Sequence, residues 1–210
     1  ILREELLKAR PTYGFLFEES GEIKGEDKSF RWIIDPLDGT TNFLHGLPHW
    51  SISIALEKDK EIIAAVVHDP IKHEVFTAEK GGGAFSSSKR LRVAARPSLA
   101  DALIAVGDEI LLNSKSMLPD GCSLRRTGSV CLDLAYVAAG RFDICCDFGL
   151  FPWDKAAGSL LVREAGGYFS EIDGGKNIVY GNGVIAANPA LHTELLKALN
   201  PSLLKSKATP

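Results

Sequence analysis

The sequence predicts an α+β fold of mixed sheets with interleaved helices, and three observations predict it. Between Tyr13 and Val93, short apolar segments alternate with charged or Asp-Pro turns, the rhythm of a strand meander. After Ser98 the rhythm changes, and stretches with helical spacing alternate with strands. The 210 residues are 45% apolar and 24% charged, an ordinary globular balance in a chain long enough to bury a core without staples.

The elements follow in order. Ile1–Arg10 has helical spacing, with Leu2, Leu6 and Leu7 apolar, and stops before Pro11. Tyr13–Phe17 reads as a strand ending at Glu18-Glu19, and Phe30–Ile34 as a strand ending at Asp35-Pro36. Ser51–Leu56, Ile62–His68 and Glu74–Ala78 form an antiparallel meander, Gly81–Gly83 a turn, and Arg90–Val93 a short strand. Arg96-Pro97-Ser98 reads as a linker, dividing an N-terminal lobe, 1–97, from a C-terminal lobe, 98–210. Leu103–Val106 is a strand, and Ile110–Leu118 is poorly patterned. Val130–Ala139 is a helix capped by Gly140, Phe142–Cys146 a buried strand, and Asp154–Ala165 a helix ending at Gly166-Gly167. Tyr168–Ile172 and Val184–Ala187 are strands, and Pro189–Leu199 is a closing helix.

Composition excludes several classes. A net charge of −3 is too weak to imply nucleic acid or an anionic membrane as partner. Lys89, Arg90, Arg92 and Arg96 form the best basic cluster, which reads as a solvated strand edge. No apolar run reaches the roughly 18 residues of a membrane helix. The four cysteines form no C-x-x-C pair, which argues against a zinc ribbon, and adjacent Cys145 and Cys146 would point to opposite faces of a strand, so they read as buried reduced thiols, with a cytoplasmic location expected. His45 and His49 are four apart, but Pro48 between them argues against a helical zinc pair. No G-x-S-x-G, Walker A or Rossmann pattern is present. Because the first residue is Ile1, the chain is expected to begin inside a longer protein.

The candidate chemistry lies in acids at element ends. In Asp35-Pro36-Leu37-Asp38-Gly39-Thr40-Thr41 an apolar strand delivers two carboxylates three positions apart. Pro36 stiffens the turn, so Asp35 and Asp38 can face one point with the Leu37 carbonyl between them. Hard oxygen ligands of this kind suit Mg²⁺. Gly39 allows close backbone approach, and the Gly39 and Thr40 N–H groups could cradle a phosphate. The same residue types also make an ordinary surface turn. Glu18-Glu19 can be solvated acids, Asp154 can be an N-cap, Gly128-Ser129 can be a helix cap, and Asp147 can be a loop acid after its strand. Taken together, however, converging carboxylates need a cation between them, because close like charges cannot all ionise.

Glu18-Glu19-Ser20, then Asp35 through Phe43, then Trp153-Asp154-Lys155-Ala156-Ala157-Gly158, resembles the inositol monophosphatase family, and more closely its bacterial extragenic-suppressor subgroup. The resemblance runs from about Ile1 to Leu199. It implies a layered αβαβα sandwich, a homodimer, activation by two or three Mg²⁺ per site, and inhibition by Li⁺. It implies Glu18, Asp35, the Leu37 carbonyl, Asp38 and Asp154 as metal ligands. Glu18, Thr40 and Asp35 are the implied catalytic residues, with Thr40 and Glu18 orienting the attacking water. Gly39 and Thr40 are implied to bind phosphate, and Asp38, Val130, Asp147 and Asp154 to contact the polyol. The implied reaction is hydrolysis of a small polyol monophosphate, myo-inositol 1-phosphate first. Fructose-1,6-bisphosphate and a 3′-phosphonucleotide are the alternatives within the superfamily. A transcription-machinery protein is a possible partner through the extragenic-suppressor relatives. The chain departs from the family pattern at Phe17, where Gly is usual, and at Asp147, where the longer Glu is usual. It also departs in a short Asp108–Arg125 span and in lacking the family's upstream helices.

Overall fold

A computed structural model of the chain describes residues 1–112, 118 and 120–199. Five layers stack as helix, sheet, helix, sheet, helix. The first sheet has eight strands: β1 (Tyr13–Phe17), β2 (Gly21–Ile23), β3 (Asp27–Asp38), β4 (Ser51–Lys58), β5 (Glu61–Asp69), β6 (Glu74–Glu79), β7 (Gly83–Ser86) and β8 (Lys89–Arg90). Their order is β2-β1-β3-β4-β5-β6-β7-β8. From β3 to β8 each strand pairs antiparallel with the next, which is the expected meander. β1 instead lies parallel to β3.

The second sheet holds β9 (Leu103–Val106), β10 (Ser123–Arg125), β11 (Ile144–Phe148), β12 (Tyr168–Ser170) and β13 (Gly183–Ala187), in the order β10-β9-β11-β13-β12. Between the sheets lie two helices, here α4 (Val130–Ala138) and α5 (Pro152–Glu164). They follow α1 (Leu2–Ala9), α2 (Thr40–Leu44) and α3 (Asp108–Leu112), and precede α6 (Pro189–Ala198). Cys131–Ala138 of α4 are all buried, as a helix that is apolar all round except at Asp133 must be. The main core joins Ile33, Val67 and Phe76 of the first sheet to Leu132, Leu134 and Leu161 of the central helices. Leu2, Leu6 and Leu7 of α1 cover Phe15, Phe17 and Ile34 on the outer face of the first sheet. α6 covers the outer face of the second sheet through Leu191 and Leu195.

Two close approaches set the central layer. A Cβ on Gly158 of α5 would lie 2.4 Å from Leu134 Cδ1 and 2.5 Å from Leu134 Cβ, so α4 and α5 meet where a side chain is missing. α4 ends as expected at Gly140, whose φ of 68° is left-handed. Arg141 N–H bonds to Tyr136 O at 2.8 Å and Gly140 N–H to Val137 O at 3.0 Å, the pair of bonds that closes a Schellman turn. Residues 91–97 join the sheets without regular structure and are fastened by side chains. Asn188 Nδ2 donates to Ala94 O and Arg96 O at 2.9 and 2.7 Å, and Arg96 Nε donates to Asp143 at 2.9 Å. Arg96 therefore does not belong to a free basic edge.

Several boundaries differ from the sequence reading. β3 runs on to Asp38 instead of ending at Ile34. β8 covers Lys89–Arg90 rather than Arg90–Val93. β11 sits two residues later than Phe142–Cys146, so Asp147 lies in the strand and not in a loop after it. Within the poorly patterned Ile110–Leu118 segment, 113–117 fall outside the described residues. β2, β7, β10 and the five-residue α2 and α3 are too short to show a period in sequence.

Candidate metal centre

The site begins with an irregularity in β3. Side chains alternate along a strand, so residues three apart should face opposite sides of the sheet. Asp35 pairs with Ser53 and Asp38 with Ser51, so Pro36 and Leu37 together stand opposite one residue of β4. This bulge adds one residue and returns both carboxylates to the same side. Pro36 fits there because a bulge does not need its missing N–H. Asp35 Oδ1 accepts from Leu37 N–H at 2.9 Å, which fixes the turn of the chain.

Both acids are buried, at 2% exposure for Asp35 and 8% for Asp38. Asp38 Oδ2 accepts from Ser51 Oγ at 3.2 Å, from Cys131 N–H at 2.9 Å, and from Ser129 Oγ. Ser129 occupies the N-cap position of α4, but its hydroxyl does not cap the helix. The sequence reading of Ser129 as a cap is thus corrected: its side chain serves Asp38.

Glu18 follows the last residue of β1, and its N–H continues the ladder to Ile34 O at 3.3 Å. The parallel register, Phe17 beside Ile34, therefore sets Glu18 beside Asp35. The two carboxyl groups lie within hydrogen-bonding reach. Glu18 is nevertheless exposed to solvent, as its reading as a solvated acid expects, and it stands at the rim of the Asp35 corner rather than buried in it.

Asp154 arrives from the opposite layer. Phe151 is the N-cap of α5, Pro152 opens the helix, and Asp154 is its third residue. Asp154 is therefore not the N-cap itself. Its Oδ2 accepts from Phe151 N–H at 2.7 Å, the reach-back half of a capping box. Its charge bears on Asp38 and Glu18 across the gap. Lys155 beside it is fully buried and donates to Gly181 O.

The electrostatics follow from burial and crowding. Burial first, then the Asp38 and Glu18 charges, push the Asp35 carboxyl up to about 8. Burial, with Asp38 and Glu18, pushes Asp154 up to about 7. Burial also raises Asp38, against the pull of its three hydrogen bonds. Carboxyls raised in this way lack a counter-charge, and a cation is the group that fits. Among the described residues, ligand atoms of Asp35 and Asp38, with Cys131, lie within 4.8 Å of one another, so two carboxylate oxygens are placed to serve a hard divalent ion, and Glu18 and Asp154 lie outside that group. The Thr40 hydroxyl donates to the Leu37 carbonyl at 2.9 Å, placing Thr40 at the same corner. Gly39 between them has φ of 93°, and a Cβ there would sit 3.2 Å from both Gly128 O and His49 O.

A cavity of about 370 Å³ opens beside the corner, lined by Gly107, Asp108, Arg126, Val130, Asp133 and Asp147 among others. Val130 and Asp147 are thus brought together, but around this cavity and not at the Asp35–Asp38 pair. Burial raises the Asp147 carboxyl to about 6, helped by Asp108 and opposed by Arg126. A Cβ on Gly107 would fall 1.6 Å from Asp147 Oδ1, so the carboxylate occupies the space that glycine leaves. Asp133 stands between the two regions, bonded to the Thr127 hydroxyl at 2.7 Å and raised well above its usual range by burial. Sequence reasoning missed Asp133, although an acid inside an otherwise apolar helix was a usable signal. Ser51, Cys131 and Gly107 gave none, because their roles exist only across the fold.

The fold and this acidic corner define a protein of the layered αβαβα sandwich class with a candidate cation site. The profile of the Inositol monophosphatase family matches residues 1–204. An inositol-1-monophosphatase of Mesorhizobium japonicum is 48% identical over 212 positions, covering 97% of this chain and 80% of that protein. A Nus factor SuhB of Pseudomonas aeruginosa is 43% identical, covering 94% and 78%. The crystal structure of extragenic suppressor protein suhB from Bartonella henselae matches with a TM-score of 0.88 at 50% identity, covering 93% and 82%. The chain belongs to the inositol monophosphatase family and is a phosphoric monoester hydrolase.

Proposed function

We propose that the chain hydrolyses a small polyol monophosphate with the help of Mg²⁺, and that myo-inositol 1-phosphate is its leading substrate. One observation supports this reading: Asp35 and Asp38 are buried together at the β3 bulge with their oxygens close enough to share an ion, and the charges of Glu18 and Asp154 bear on them. Glu18, Asp35 and Leu37 O would hold one ion, and Asp35, Asp38 and Asp154 a second. Bound Mg²⁺ would supply charge neutralisation and acidify a water, the main needs of phosphoryl transfer. Thr40 and Glu18 orient that water, and the N–H groups of Gly39 and Thr40 hold the phosphate. Val130, Asp147, Asp38 and Asp154 receive the hydroxyls of the leaving group. No covalent nucleophile is required.

The test is Mg²⁺-dependent phosphate release from a panel of inositol 1-phosphate, sugar monophosphates, fructose-1,6-bisphosphate and a 3′-phosphonucleotide, with and without Li⁺. Asp35→Asn should lose activity by orders of magnitude and keep its melting transition. Unchanged turnover of that variant at saturating Mg²⁺ overturns the reading.

A second role is favoured by the name of one relative, the Nus factor SuhB at 43% identity. A transcription-machinery protein would then be a partner of this chain, and recovery of polymerase equally by wild type and Asp35→Asn would separate binding from catalysis. A homodimer, testable by light scattering, and a cytoplasmic location belong to the same proposal. The four free thiols agree with a reducing compartment. Among the described residues no helix is long and apolar enough to cross a membrane.

A further inference from the structure

The mechanism above uses oxygen ligands alone, yet a sulfur lies among them. Cys131 Sγ and one oxygen each of Asp35 and Asp38 all lie within 4.8 Å of one another, and all three residues are buried. Cys131 is the second residue of α4, immediately after the turn that carries Ser129 to Asp38. Its backbone N–H holds Asp38, so the helix start and the carboxylate are fixed relative to each other. The thiol makes weak contacts with Asp154 O at 3.4 Å and Trp153 O at 3.8 Å, and lies within reach of the Asp38 carboxylate.

The atom types match a soft cation. Zinc binds thiolate at about 2.3 Å and carboxylate at about 2.0–2.2 Å in a near-tetrahedral set, so two such ligands on one ion stand about 3.5 Å apart. Side-chain movement of about an ångström brings the three atoms onto one ion. Mg²⁺ takes oxygen ligands and leaves the sulfur unused, whereas thiolate selects zinc-like ions.

We propose that Cys131 gives this corner a second, mutually exclusive occupancy: a thiophilic divalent cation of the Zn²⁺ or Cd²⁺ class, held by Asp35, Asp38 and Cys131. The proposal rests on the reading of the corner as a cation site. The thiol loses its proton to solvent as the sulfur–metal bond forms. Because the two aspartates are shared, the soft ion displaces Mg²⁺ and blocks the phosphatase.

The test titrates Cd²⁺ into the full chain in Mg²⁺-free buffer and follows thiolate-to-cadmium charge-transfer absorbance in the ultraviolet. One equivalent should saturate the band, and excess Mg²⁺ or Mn²⁺ should diminish it. The band should vanish in Cys131→Ser and in Cys131→Ala, with circular dichroism confirming the fold of each, and should persist in Cys122→Ser. Cd²⁺ affinity should fall at least roughly tenfold in the Cys131 variants, since even outer partners of a metal site contribute that much. Cd²⁺ binding without the band, or a band that survives in both Cys131 variants, overturns the proposal. If Mn²⁺ still binds and is lost in Asp35→Asn, the cation-site reading stands without it. Failure of both Cd²⁺ and Mn²⁺ to bind stoichiometrically removes both.

Discussion

Ser129 donates its hydroxyl to the Asp38 carboxylate across a separation of 91 residues, joining the first turn of α4 to the bulged end of β3. A hydrogen bond to a buried charge is worth about 1.5–3 kcal/mol. Ser129→Ala should therefore destabilise the metal-free protein by about that amount in urea denaturation. It should also raise the Mg²⁺ concentration needed for half-maximal activity, because Asp38 loses a tether. A neutral result in both measurements contradicts the assigned role.

The crowded carboxyls make metal-free stability depend on pH. Asp35 and Asp154 have folded values of about 8 and about 7, above an ordinary value of 3.8. A raised acid favours the folded state while it keeps its proton. That stability is fully present below about pH 4 and is lost as pH rises through 7 to 8. Chelator-treated protein should therefore melt at a lower temperature at pH 8.5 than at pH 5.5. Added Mg²⁺ should raise the transition more at pH 8.5, where the carboxylates are ionised. Equal metal stabilisation at both pH values contradicts it.

Gly158→Ala tests the approach of the central helices. The new Cβ would lie 2.5 Å from Leu134 Cβ, too close for a side-chain rotation to relieve. Overpacking of this kind costs about 1–3 kcal/mol. Because α5 also carries Asp154, activity should fall even at temperatures where the variant is folded.

Gly107→Ala tests the placement of Asp147. Its Cβ would displace the Asp147 carboxylate, whose oxygen lies 1.6 Å from that position. If Asp147 receives a leaving-group hydroxyl, KM for the polyol phosphate should rise roughly tenfold, the size of one hydrogen bond of about 1.4 kcal/mol. A simple aryl phosphate, which lacks those hydroxyls, should show little change in KM.

Arg31 and Glu57 offer a test away from the site. Arg31 donates to buried Glu57 at 3.0 and 2.8 Å, and both residues meet the Tyr180 hydroxyl. Arg31→Met should destabilise the protein by about 3 kcal/mol, because it strands a buried carboxylate. The double variant Arg31→Met/Glu57→Met should recover part of that loss in thermal denaturation.

Much of this protein was legible in its residues. The meander from Ser51 to Glu79 and the α4 stop at Gly140 could be read from local pattern, whereas the acids Glu18, Asp35, Asp38 and Asp154 were singled out as one ligand set only by their resemblance to a family's motifs. Periodicity and cap chemistry are local properties, and they survive in a one-dimensional string. What only the tertiary structure decided is the direction each acid faces. Asp35 and Asp38 share a side because of a bulge against β4, Glu18 joins them through a parallel register, and Ser129 leaves its helix to bond Asp38. Cys131 and Gly107 acquire meaning only from atoms distant in the chain. Burial is what raises the carboxyl values, and burial is a property of the assembled layers rather than of any segment within them.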